Sequence, residues 1–108
     1  MHTYWDRITF SMRVISRRTL REFWARHAEA EQPLLAWFRE AEGAEWQGPA
    51  DVKARYSSAS FLGGNRVVFH IKGNRYRLVV RIDYAFHLVF IRFIGTHADY
   101  DRIEAGEA

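Results

Sequence analysis

Two runs of alternating residues, Arg66 to Lys72 and Arg75 to Ile82, flank the pair Gly73-Asn74, and they constrain this chain more than any other feature. Gly and Asn both tolerate positive φ, so between β-rich runs they signal a tight hairpin. With that pair as the loop, Lys72 faces Arg75, His70 faces Arg77 and Arg66 faces Arg81. Successive side chains of a strand point to opposite faces. One face therefore holds Val67, Phe69, Ile71, Tyr76, Leu78 and Val80, and the other holds Arg66, Val68, His70, Lys72, Arg75, Arg77, Val79 and Arg81. The first is a core face; the second is basic. A slip of one residue would drive the arginines inside, which specifies the register strongly.

A third run, His87 to Ile94, is apolar on both sides apart from Arg92, as expected of a central strand. With Asp83 to Phe86 as the turn, Ile82 faces His87 and Arg92 lies beside Arg77, giving a row of His70, Arg77 and Arg92. A three-residue loop would instead send Arg92 to the opposite face. Like charges directly opposite one another are unfavourable, so such a row calls for an anion between its members. The alternative is that Asp99, Asp101 or Glu104 folds back from the tail and neutralises it.

Upstream, Met12 to Ile15 reads as a short strand, and Ser16 offers a side-chain oxygen to a helix starting at Arg17. In that helix Leu20, Phe23, Trp24, His27 and Ala28 form one apolar stripe, backed by Arg18, Arg21, Glu22 and Glu29. Pro33 suits the first turn of a second helix with the stripe Leu34, Trp37, Phe38 and Ala41, ending near Gly43. The two make an antiparallel helical pair whose aromatic residues, His27 included, belong to the core. Gly48 to Leu62 is the least periodic part and reads as connection, with a short helical turn around Asp51 to Arg55. Gly63 and Gly64 form a turn; the residues of a P-loop do not follow them. The pattern is an α+β domain.

A chain of 108 residues with 48% hydrophobic content supports one core. Residues 12–108 are expected to form that domain, with residues 1–11 as an extension that lacks the apolar run of a secretory signal. No cysteine is present, so no disulfide forms, in keeping with a cytoplasmic setting. The uncharged stretch from Tyr84 to Ile91 falls far short of the ~20 apolar residues of a membrane-spanning helix. His70, His87 and His97 lack zinc-ligand spacing, so neither metal nor cofactor is expected. The net charge of +3 conceals an asymmetry: from Lys53 to His97 eight basic residues stand against Asp83 alone. Arg dominates over Lys, and its planar fork suits phosphate. A polyanionic partner follows, with a solubilising basic surface as the alternative reading.

The phrase Gly73-Asn74-Arg75-Tyr76-Arg77-Leu78-Val79, followed by Ile91-Arg92 and then Thr96-His97-Ala98-Asp99-Tyr100-Asp101, resembles the HigB toxins of bacterial type II toxin-antitoxin modules, members of the RelE-like group. The resemblance runs from about Met12 to Ile103. It implies a RelE-like small domain with an N-terminal strand, an antiparallel helical pair, a mainly antiparallel curved sheet and a short C-terminal helix or turn. It also implies a metal-independent endoribonuclease that cleaves mRNA on the translating ribosome, restrained by a HigA-type antitoxin. A ParE-like toxin that inhibits gyrase without cutting RNA, or a plain RNA-binding module, is the competing reading on the same scaffold.

RNA cleavage without a metal needs a base for the ribose 2′-hydroxyl, positive charge around the phosphorane and an acid for the departing 5′-oxygen. Arg77 and Arg92 suit the phosphate oxygens. His97 and Tyr100, three apart in a short turn or helix, share a face and supply a proton donor or a stacking ring. Lys72 and His70 are the remaining acid or base candidates. Arg66, His70, Arg75 and Arg81 extend the surface along RNA. Asn74 serves turn geometry, and Asp101, of the wrong sign for phosphate, orients His97 or pairs with Arg92. In the blander reading His97 only caps the tail and Tyr100 packs over the sheet edge.

Overall fold

The computed structural model describes residues 11–103. The expected extension therefore lies outside the described residues except for Ser11, and so does Glu104. Strand β1 (Arg13–Ile15) leads into α1 (Arg17–Arg26), a 3-10 turn (Ala28–Ala30) and α2 (Glu31–Gly43). Helix α3 (Pro49–Arg55) and strands β2 (Ser60–Leu62), β3 (Arg66–Ile71), β4 (Tyr76–Asp83) and β5 (Leu88–Thr96) follow, and α4 (His97–Ile103) closes the order. The five strands form one sheet in the order β1-β5-β4-β3-β2, with β1 parallel to β5 and the remaining pairs antiparallel. The α+β class expected from the sequence holds.

Apolar periodicity decides which sheet face the helices cover. Leu20 and Phe23 of α1 and Leu34, Trp37 and Ala41 of α2 share a buried cluster with Val67, Phe69, Ile71, Tyr76, Leu78 and Val80. Trp37 and Trp46 flank Phe69 at ring-centroid distances of 5.4 and 6.3 Å. Each such buried aromatic contributes both area and oriented ring contacts. His27 ends α1 partly buried at the margin of this layer, its imidazole stacked on Phe23 at 4.3 Å.

The β3–β4 register is the expected one: Arg66 faces Arg81 and His70 faces Arg77. Positive φ falls on Lys72 and Gly73, however, and not on Asn74. Lys72 and Arg75 thus belong to a four-residue loop outside the ladder, where strand alternation no longer governs their direction.

Three other expectations are corrected. Ser16 does precede α1, but at φ 76 it makes no side-chain cap; its carbonyl accepts from the Thr19 amide at 3.0 Å. An N-cap normally holds an extended backbone, which this residue does not. Ser60–Leu62, read as connection, is an edge strand. It is too short and too exposed to show alternation. The third correction bears on the site. Arg77 faces Gly95, not Arg92: the turn pairs Ile82 with Val89 and not with His87, a displacement of two residues, and the β4–β5 register shifts by one more between Val79 and Val80. Val79 faces Phe93 and Val80 faces Ile91, so Arg92 is the extra residue of a β-bulge. It is exposed and outside the row assigned to it.

Candidate nucleic-acid interface

The sheet face away from the helices carries Arg66, Val68 and His70 from β3, Arg77, Val79 and Arg81 from β4, and Phe90, Phe93 and Gly95 from β5. Its middle is apolar. Val68 and Val79 are buried, bordered by the arginines of their own strands and faced by Phe93. Arg81 stacks over the Phe90 ring at 4.5 Å, and Arg66 donates through Nε to the Gly63 carbonyl at 2.8 Å. These two arginines mark one end of the face.

The other end holds the chemistry. Arg77 is 6% exposed, the one charged residue that is buried among the described residues. Its Nη2 donates to Asn74 Oδ1 at 2.9 Å, and its Nη1 donates to the Asn74 carbonyl at 3.1 Å and, more weakly, to the Tyr76 carbonyl at 3.4 Å. All three acceptors are neutral. Asn74 is thus more than a turn residue: three positions before Arg77, it grips the guanidinium through both side chain and backbone. Across the ladder from Arg77, Gly95 is closely packed. A Cβ on Gly95 would lie 2.5 Å from Phe93 Cζ and 3.2 Å from Asp99 Cβ, so the Phe93 ring and the start of α4 occupy the space over that position.

Helix α4 is fixed by reciprocal capping. The Asp99 amide donates to Thr96 Oγ1 at 3.1 Å, and the Thr96 amide reaches back to Asp99 Oδ2 at 3.4 Å. The His97 amide donates to the Arg75 carbonyl at 3.1 Å and ties the helix start to the hairpin loop. His97 Nδ1 sits 3.0 Å from Asp101 Oδ2. That carboxylate holds the Nδ1 proton and leaves Nε2 as the atom presented to a ligand. Tyr100 is half-buried with its ring 6.4 Å from that of Phe93. Burial foremost, then the Arg77 charge, then His97, hold the pKa of His70 below its usual value of 6.5. His70, Arg77 and His97 are therefore electrostatic neighbours, and His70 is kept neutral near pH 7.

Among the described residues of the tail, neither Asp99 nor Asp101 pairs with the Arg77 cation. Asp99 pairs with Arg102 and Asp101 with His97. Three sequence-derived candidates stand apart from the cluster. Arg92 is carried outward by the bulge. Arg75 turns to the helical side, 3.2 Å from Glu29 Oε2, where the Tyr76 hydroxyl also donates. Lys72 is exposed in the loop and adds to the positive charge that, after the Tyr76 hydrogen bond and Arg75, keeps Glu29 ionised. Phe93 was not singled out from the sequence. Its place on this face depends on the bulge, which has no local signal. Among the described residues no His, Asp and Glu group has the arrangement of a metal site, and no helix is long and apolar enough to cross a membrane.

The model of the HigB toxin family, the RelE-like toxic component of a toxin-antitoxin system, matches residues 30–103. This chain belongs to the HigB toxin family. The match covers α2 through α4, and with them every residue of the cluster around Arg77. This HigB chain is accordingly the toxin of a toxin-antitoxin system, and its membership implies an antitoxin partner. A search of curated proteins gave no match.

Proposed function

We propose that this toxin is an endoribonuclease that cleaves mRNA, engaged on the translating ribosome, without a metal. The observation that carries the reading is Arg77, a cation almost sealed from water whose partners among the described residues are all neutral oxygens. A buried charge without a counter-charge is unfavourable. A phosphodiester seated between Arg77 and the two histidines supplies the missing anion.

Neutral His70 takes the proton of the ribose 2′-hydroxyl. The 2′-oxygen attacks phosphorus, Arg77 stabilises the charge gathering on the nonbridging oxygens, and the bond to the 5′-oxygen breaks as His97 Nε2 protonates it. The products are a 2′,3′-cyclic phosphate and a 5′-hydroxyl end. Asn74 positions Arg77 and Asp101 positions His97. Arg66 and Arg81 extend the contact along the strand, and Tyr100 with Phe93 offers a ring surface beside the scissile nucleotide.

The test is end-mapping of messages in a cell-free translation reaction, with and without active translation, comparing the wild type with Arg77→Met. The wild type is expected to cut only during translation and the variant to cut at least about 100-fold more slowly. Undiminished cutting by a folded Arg77→Met protein would overturn the assignment. Intact messages together with blocked DNA supercoiling would replace it with the gyrase-directed reading.

A further inference from the structure

The helical layer carries a groove that the cleavage chemistry does not use. It runs between α1 and α2, is open to solvent with a cavity volume of about 150 Å³, and is lined by Arg17, Leu20, Arg21, Trp24, Leu35 and Phe38. Leu20 is buried and forms its floor, while Trp24, Leu35 and Phe38 are only partly covered. The rim is cationic. Helix α1 bears Arg17, Arg18, Arg21 and Arg26 against Glu22 alone, and Glu22 lies 3.5 Å from Arg18. Arg17 rests over the Phe38 ring at 5.3 Å, and neither Arg17 nor Arg21 has a carboxylate partner among the described residues.

We infer that this groove docks an acidic amphipathic helix from a partner protein, and that the antitoxin supplies it. Helix-in-groove recognition uses apolar anchors at i, i+3 or i+4 and i+7 set into an apolar trough. The trough here is Leu20, Trp24, Leu35 and Phe38; carboxylates flanking the anchors meet Arg17 and Arg21. Charge complementarity selects an acidic ligand, and the apolar floor selects a peptide over RNA, because a phosphate backbone gains nothing from it. The groove lies on the helical side of the sheet and Arg77 on the other. A helix confined to the groove therefore leaves the basic face uncovered. This inference rests on membership of a toxin-antitoxin family and not on the nuclease reading, so absence of cleavage would leave it standing.

The test is calorimetric titration of the intact toxin with its cognate antitoxin. The double variant Arg17→Glu/Arg21→Glu, at two exposed positions, is expected to bind at least about tenfold more weakly, whereas Arg77→Met binds as the wild type does. Hydrogen exchange of the wild-type complex provides a check that needs no variant, with new protection expected across residues 17–38. Wild-type affinity in the double variant, or new protection confined to residues 66–96, would overturn the inference. So would a double variant that binds antitoxin normally and fails only to sediment with ribosomes, since the groove would then belong to the ribosome.

Discussion

Arg77 is the residue at which stability and function pull in opposite directions. Its guanidinium is buried against neutral carbonyls, an arrangement that gives up solvation without gaining a counter-ion. A neutral side chain of similar length is expected to fit the same space. Arg77→Met is thus predicted to hold or raise the thermal midpoint while slowing cutting by at least about 100-fold, and a midpoint lowered by more than about 5 °C would indicate a structural role instead. Asn74→Ala removes one of the acceptors and leaves the backbone carbonyl in place, so a partial effect follows: kcat reduced about tenfold with KM little changed. His70 sets the pH response. Because its folded pKa lies below 6.5, the unfolded chain takes up the proton first as the medium is acidified. Stability is fully retained above the unfolded value and falls as pH drops through the folded one. His70→Gln deletes that term, so urea midpoints of the variant should fall less than those of the wild type between pH 7 and pH 5; parallel decline in both proteins would contradict it.

At the scale of the element, the junction of β5 and α4 decides how well Arg77 is held. Gly95 is there because the Phe93 ring and Asp99 fill the volume of a Cβ. Gly95→Ala should destabilise the fold by about 1–3 kcal/mol through overpacking, and Phe93→Ala should relieve most of that penalty. A double-mutant cycle of denaturant midpoints measures this coupling, and additive effects would show that the ring is not the obstacle. The same junction separates what was legible in the sequence from what was not. The hairpin register was readable because turn residues and strand alternation agree on one pairing, and a slip would bury arginines. The β5 register was not: the turn pairs Ile82 with Val89, two residues beyond His87, a bulge inserts one more residue without any compositional mark, and apolar residues on both sides of the strand removed the alternation that would have exposed either shift. The displaced turn and the bulge together move Arg92 three residues out of register with Arg77. Arg75 was misplaced because it stands in the loop, where its direction is set by Glu29 of the 3-10 turn, distant in sequence. His97 and Asp101 were readable as neighbours because i, i+4 spacing on a helix brings side chains together.

For the molecule as a whole, the sheet separates two charged surfaces with different tasks. The helical side carries the groove between α1 and α2 and the Glu29–Arg75 contact; the other side carries Arg66, Arg77 and Arg81. Equal formal charges on opposite sides of the sheet should therefore respond unequally to RNA. Each phosphate neutralised on a single strand contributes about −0.7 to the slope of log K against log salt, so three arginines in contact give a slope of about −2. Binding of an oligonucleotide with a 2′-deoxy residue at the cleavage position isolates affinity from turnover. Arg81→Ala should flatten its slope by about 0.7, whereas Arg75→Ala, whose guanidinium faces the helical side, should leave it almost unchanged. The comparison holds net charge constant, since each variant removes one arginine, and so cancels any general effect of the basic chain. Equal flattening by the two variants would mean that RNA reaches around the hairpin loop, and the division of labour between the two faces would then fail.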